Sequence, residues 1–276
     1  MNLRKSIRFA ALIGALLLPQ VGAASSGGAP LPKLDWDHKG VFGEFDNASL
    51  KRGAQIAVEV CMGCHSFKYI KFDALRQFGY TEAEVKEMAE SQGKNKTDKM
   101  LSAMSKEDAI DSFNIVPPDL SLMTKARKGY ENYVNAILTG YLTEEETALV
   151  EEAYEDEDLS EEEVKAIAKA LHLDPHNAAY VKEVVLRIGM GSNFNKYFPG
   201  HFFAMPQPLM DEAVEYADGT QATLAQLSKD VVNFMSWTAE PTLMERKSLG
   251  IYVIIYLIIF TALLYALKRR IWAKIH

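Results

Sequence analysis

Glu59-Val60-Cys61-Met62-Gly63-Cys64-His65-Ser66 holds both cysteines of a 276-residue chain. A Cys-x-x-Cys-His run is the signature of covalent c-type haem attachment. The spacing suits that chemistry. Two intervening residues let one turn of chain present both sulfurs to one edge of a porphyrin, where they add to vinyl groups as thioethers. His65 follows at once, placed to ligate the iron from one face. A structural zinc site wants four ligands, commonly including a second cysteine pair, and no further cysteine exists. A thioredoxin-like redox pair does not require the histidine, and no βαβ pattern surrounds it. The motif predicts haem held by Cys61 and Cys64 and ligated by His65.

The ends of the chain say where this haem resides. Arg4, Lys5 and Arg8 precede an apolar stretch from Phe9 to Leu18, which closes in the small residues Val21-Gly22-Ala23-Ala24. That pattern predicts a secretory signal peptide over residues 1–23. Its removal takes away three positive charges and no acidic ones, moving the net charge from −7 to −10. At the other end, Leu249–Leu267 contains no charged residue. At about 1.5 Å per residue it spans roughly 28 Å, close to the hydrocarbon thickness of a bilayer. Lys268, Arg269, Arg270 and Lys274 follow it, more basic residues than Arg246 and Lys247 before it. The positive-inside rule therefore predicts a cytoplasmic C-terminus and a periplasmic main domain. Residues 245–276 read as a single-pass anchor in a bacterial inner membrane, in contact with lipid, with a short cytoplasmic tail.

Residues 24–244 then form one domain, within the usual size range. Leu50, Ala54, Ala57 and Val58 mark a helix running into the haem motif. Thr81-Glu-Ala-Glu84 and Thr223-Leu-Ala-Gln226 read as capping boxes. Tyr130, Val134, Ile137, Leu138 and Tyr141 fall on one helical face. Pro241 breaks the chain before the anchor. No alternation predicts a substantial sheet, so the fold class is all-α: a c-type cytochrome domain with long loops plus one C-terminal transmembrane helix. The acidic run 144–163 reads first as a solvated, partly helical insertion in which Ser160-Glu-Glu-Glu163 caps a helix. Its second reading is a steering surface for a basic partner.

A haem on His65 leaves a sixth coordination position. His201 and Met205 lie close together in the Pro- and aromatic-rich stretch Asn193–Pro208, and a thioether ligand there raises the reduction potential. On residue types alone the choice stays open between methionine, histidine and nothing, because the chain holds 11 methionines and 6 histidines.

Several segments resemble cytochrome c1, the haem subunit of the ubiquinol–cytochrome c reductase (bc1) complex, in its bacterial, alphaproteobacterial-like form. Glu59–Ser66 resembles the haem-attachment segment. Pro117-Pro-Asp-Leu-Ser121, Ala126-Arg127 and Tyr133 through Tyr141 resemble the central block. Asn195–Gly200 with Ala204-Met205-Pro206 resembles the axial-methionine loop. Tyr216–Thr220, Lys229-Asp-Val and Trp237–Pro241 up to Lys247 resemble the approach to the anchor.

The resemblance implies one haem c with Cys61 and Cys64 as thioether positions and His65 and Met205 as iron ligands. Arg127 and Tyr133 would meet the haem propionates, and the Pro118 carbonyl would accept from His65 Nδ1. It further implies an electron-transfer subunit between a Rieske iron–sulfur protein and cytochrome c, beside cytochrome b in a dimeric respiratory-chain complex. The chain is then part of an enzyme without breaking substrate bonds itself, and no nucleic-acid partner is expected. The alternative is a free-standing, membrane-anchored cytochrome c. The sequence departs from the family between Gly93 and Val116, where a shorter Lys- and Ser-containing stretch stands.

Overall fold

The computed structural model describes residues 28–156 and 158–273, so the signal-peptide reading of 1–23 lies outside the described residues. Helix α1, Asn47–Glu59, starts where the Asp46 carboxylate accepts from the Ala48 amide. It buries Leu50, Ala54, Ala57 and Val58, the face its spacing predicts. The chain then tightens into a 3₁₀ turn, Cys61–Gly63, and extends as strand β1, Phe67–Lys71. A 3₁₀ helix, Phe72–Phe78, leads to α2, Glu82–Ser91, which opens on the predicted Thr81/Glu84 capping box. Strand β2, Lys99–Met100, pairs antiparallel with β1, with Phe67 opposite Met100. Helix α3, Lys106–Phe113, completes the stretch that departs from the family pattern.

Helices α4, Met123–Ala126, and α5, Tyr130–Thr139, follow. Gly129 joins them with φ +98°, and an added Cβ would lie 2.4 Å from a Leu31 methyl, so only glycine serves there. The acidic run is more ordered than a solvated insertion. It builds α6, Glu144–Glu155, and α7, Glu161–Ala170, which pack with α8, Ala178–Gly189. Val150, Ala153, Val164, Ile167, Val181, Val184 and Val185 form a second core between them. Both acidic helices open on reciprocal capping boxes, Thr143/Glu146 and Ser160/Glu163, with three glutamates in each first turn. Negative charge there complements the helix dipole, which gives the run a structural cause.

Helix α9, Leu224–Ala239, crosses α1 to make the main core. The helices approach so closely at Gly53 that an added Cβ would sit 2.1 Å from the Asp230 carbonyl oxygen. At the crossing, buried Asp230 accepts from Ser49, Arg52, Tyr216 and Gln226. The Gln226 side chain is therefore spent on Asp230. Thr223 caps α9 alone, without the reciprocal half of the predicted box. Burial and the Asp230 carboxylate push the Tyr216 phenol up, while Arg52 helps hold Asp218 down to about 2 after its Thr220 backbone bond.

Glu240, Pro241 and Thr242 separate α9 from α10, Leu243–Trp272, 30 residues with none buried. At about 1.5 Å per residue the helix is roughly 45 Å long, and it is apolar enough to cross a membrane. Glu240 ties Lys125 and Arg246 together, and Lys247 donates to the His38 and Gly43 carbonyls at 2.7 and 2.6 Å.

Candidate functional site

The Cys61–His65 turn closes through its own backbone: the Cys64 and His65 amides donate to the Cys61 carbonyl at 3.1 and 2.8 Å. Met62 points into the core and is fully buried, whereas Cys61, Cys64 and His65 are half-exposed. Met62 thus anchors the turn, with Cys61 packed partly against the same core and Cys64 and His65 partly open to solvent. No disulfide joins the cysteines. Burial, reinforced by the neighbouring Cys64, pushes the Cys61 thiol up to about 12.

His65 Nδ1 lies 2.7 Å from the Pro118 carbonyl oxygen. A carbonyl only accepts, so Nδ1 carries the proton and Nε2 keeps the lone pair that a metal needs. Burial pulls the His65 pKa down, against the opposing Pro118 contact, which favours the neutral, ligating form. Pro118 is itself held in place. Asp119 accepts from the Lys68 and Ser121 amides, and the Leu120 amide donates to Ser66. The divergent stretch closes over the same turn. The Ser102 amide donates to Ser66 Oγ, and the Ser102 hydroxyl donates to the Gly63 carbonyl.

Helix α5 supplies the rest of the constellation from its two ends. At its start the Arg127 guanidinium stands beside the Tyr133 hydroxyl; burial raises the Tyr133 pKa and the cation opposes the rise. Arg127 is exposed and donates to its neighbour's Ala126 carbonyl; it pairs with no carboxylate among the described residues. Tyr133 also packs on the main core.

At the end of α5 lies the Met205 loop. Asn195 donates to the Ile137 carbonyl, the Lys196 amide to Gly140, and the Tyr141 hydroxyl to Met205 and Pro206. Burial raises the Tyr141 pKa. No hydrogen bond among the described residues joins Met205 to the cysteine turn, so the two groups share the domain without touching through polar contacts. His201, the rival near Met205, is buried with its ring stacked on Phe194, and its Nδ1 faces the Asn195 carbonyl at 3.3 Å. It is committed to the second core. His38 is committed likewise, buried against Glu131.

This donor set fits a covalently held haem: two thiols and an Nδ1-anchored neutral imidazole on one turn and, elsewhere, a half-buried thioether and a guanidinium that has no carboxylate partner among the described residues. Leu101, Ile115, Val116 and Leu122 lie exposed on the segments bonded around the turn, apolar surface of the kind a porphyrin face covers. Sequence reasoning passed over Asp119, Ser102, Asn195 and Tyr141 as site-builders. Tyr141 lay in plain view as the last residue of a helical face, but its hydroxyl partner is 64 residues away.

A family model described as the Cytochrome C1 family matches residues 36–275. Cytochrome c1 of Rhodospirillum rubrum is 35% identical over 96% of this chain and 97% of its own length. Cytochrome b/c1 of Bradyrhizobium diazoefficiens is 35% identical over 95% of this chain, which spans 39% of that longer protein. The mitochondrial cytochrome c1 haem protein of Saccharomyces cerevisiae is 34% identical over 94% of this chain and 77% of its own length.

Proposed function

This chain belongs to the cytochrome c1 family, and on that premise we propose that it is a single-haem electron-transfer subunit which accepts an electron from a Rieske iron–sulfur protein and passes it to a cytochrome c. Cytochrome c1 is the haem subunit of the bc1 oxidoreductase complex, so cytochrome b and the Rieske protein are partners by membership. A relative named cytochrome b/c1 supports the close association with cytochrome b. We read the complex as dimeric.

When bound, haem supplies a one-electron iron couple. The chain's residues hold and tune it. Cys61 and Cys64 would hold it through thioethers, and His65 Nε2 and the Met205 thioether would serve as its iron ligands. The Pro118 carbonyl fixes the ring plane and tautomer of His65. Arg127, with Tyr133 beside it, meets the propionates as a charge-assisted donor. With His65 and Met205 both given to the iron, the chain would leave small ligands such as oxygen no open place on it. The residue 24–244 domain faces the periplasm, residues 245–276 anchor it in the inner membrane among lipid, and the C-terminus is cytoplasmic. The glutamates crowning α6 and α7 form a negative surface suited to steering a basic cytochrome c.

The observation that carries this reading is the turn that presents two thiols beside an Nδ1-anchored imidazole. The test is gentle solubilisation of the membrane, subunit identification and a reduced-minus-oxidised spectrum. A low-spin c-type signal copurifying with cytochrome b is expected. The same signal without cytochrome b would instead favour a free-standing anchored cytochrome c.

A further inference from the structure

We propose that Tyr141 is a positioning residue for Met205, its hydroxyl clamping the backbone that carries the thioether. The inference rests on the reading of Met205 as the sixth ligand. Tyr141 is buried, and its hydroxyl lies 3.0 Å from the Met205 carbonyl and 3.2 Å from that of Pro206. Among the described hydrogen bonds it is the one that reaches residue 205 from another element.

The local sequence explains why such a clamp is needed. Pro206 has no amide hydrogen, so no backbone donor just after Met205 fixes the segment. Upstream, the loop is tied at Asn195, Lys196 and Ala204, the last by the Asn193 side chain at 3.3 Å. Downstream, the next anchor is Leu209, which is buried and accepts from Gln207. Between Ala204 and Leu209 the carbonyls of residues 205 and 206 are the handles, and Tyr141 takes both. Its ring is seated by Phe203, centroids 5.8 Å apart, and Phe203 in turn stacks on Phe198 at 4.7 Å. Tyr141 also stands two residues beyond the end of α5, just past its Gly140 cap, so the clamp refers the Met205 loop to the end of a rigid helix.

A thioether binds ferric iron weakly, so how readily Met205 yields to an added ligand depends on how firmly its backbone is held. Loss of one net hydrogen bond corresponds to roughly a two- to tenfold change in that equilibrium. The test uses full-length, detergent-solubilised holoprotein as wild type, Tyr141→Phe and Met205→Leu. The readouts are imidazole binding to the ferric form and the midpoint potential. Tyr141→Phe keeps the ring against Phe203, and helix content by circular dichroism reports its folding separately. Imidazole binding about two- to tenfold tighter, with a lower potential and unchanged helix content, is expected. If Tyr141→Phe matches wild type in both readouts while Met205→Leu does not, the clamp is refuted and the ligand reading stands. If Met205→Leu also matches wild type, Met205 is not the ligand, and the inference falls with that reading.

Discussion

His65 Nδ1 and the Pro118 carbonyl oxygen are 2.7 Å apart although 53 residues separate them in the chain. A proline carbonyl makes a dependable acceptor only where its segment is fixed, and Asp119 does the fixing by accepting from the Lys68 and Ser121 amides at 2.9 and 3.1 Å. Asp119→Ala frees that segment. A weaker Nδ1–H bond makes the imidazole less basic and ferric iron less well supported, so the potential rises. The expected rise is on the order of tens of millivolts, where about 59 mV is a tenfold change for one electron. Redox titration of full-length holoprotein checks it. Asp119→Asn, which keeps one acceptor oxygen, should shift less; a potential unmoved by alanine would mean that Leu120 and Ser66 suffice to hold Pro118.

Asp230→Ala should be among the most damaging single changes in the domain. Its carboxylate is fully buried and receives Ser49 at 2.6 Å, Arg52 at 2.8 Å and Gln226 at 2.9 Å. Alanine strips the largely buried Arg52 of its buried carboxylate and leaves Ser49, Tyr216 and Gln226 without their shared acceptor, a cost of about 3–5 kcal/mol. Chemical denaturation followed by circular dichroism measures it. A loss well under 1 kcal/mol would show that Asp218, 2.7 Å from Arg52 on the other side, satisfies the guanidinium unaided.

How much of this was legible in the sequence follows from how local each signal is. Cys61, Cys64 and His65 carry their chemistry within five residues, and α1 shows its face through ordinary helical spacing. Helix α5 departs from its expected face: it buries Glu131, Val134, Asn135 and Ala136, leaves Tyr130 exposed and ends before Tyr141, because Glu131 and Asn135 turn inward to tertiary partners, His38 and Ser228. Met205 was singled out from the other methionines by resemblance, because nothing in its own neighbourhood distinguishes a ligand from a packed thioether. The second core was hidden: Val150, Ala153, Val164 and Ile167 are diluted among glutamates, and α8 presents Val181, Val184 and Val185, residues more at home in strands. Gln226 matched a capping pattern but bonds Asp230, a tertiary partner beating a local one. Strand β1 buries Phe67 and Ile70 at a spacing that its irregular register permits and simple alternation does not.

Gly53 should resist even the smallest side chain. Alanine favours a helix interior over glycine by up to about 1 kcal/mol. Here its Cβ would fall 2.1 Å from the Asp230 carbonyl oxygen and 2.8 Å from Phe234 Cβ. Helices α1 and α9 would have to separate, so Gly53→Ala should destabilise by about 1–3 kcal/mol net. Thermal unfolding decides the sign, and a stabilised variant would show that the crossing relaxes without cost.

Glu131 gives the domain an acid-sensitive joint near the anchor. Burial pushes its carboxyl up, but hydrogen bonds from His38 and Lys39 and from its own backbone outweigh that and bring it from an ordinary 4.5 down to about 2. Lys39 lies 2.7 Å away and His38 3.2 Å, while the Ser236 hydroxyl on α9 adds a longer contact at 3.4 Å. A carboxyl whose folded pKa is depressed stabilises the fold above its unfolded value. That contribution is lost as pH falls from about 4.5 toward about 2, where the folded form also protonates. With screening by the solvent that reaches Lys39, it amounts to about 1–3 kcal/mol at neutral pH. Glu131→Gln removes the titration, so the stability gap between wild type and variant should be widest near neutrality and narrow steadily below pH 4.5. Denaturation midpoints of both proteins across that range measure the gap. A gap independent of pH would mean that Glu131 acts only through its shape and hydrogen bonds, with its charge contributing nothing to the fold.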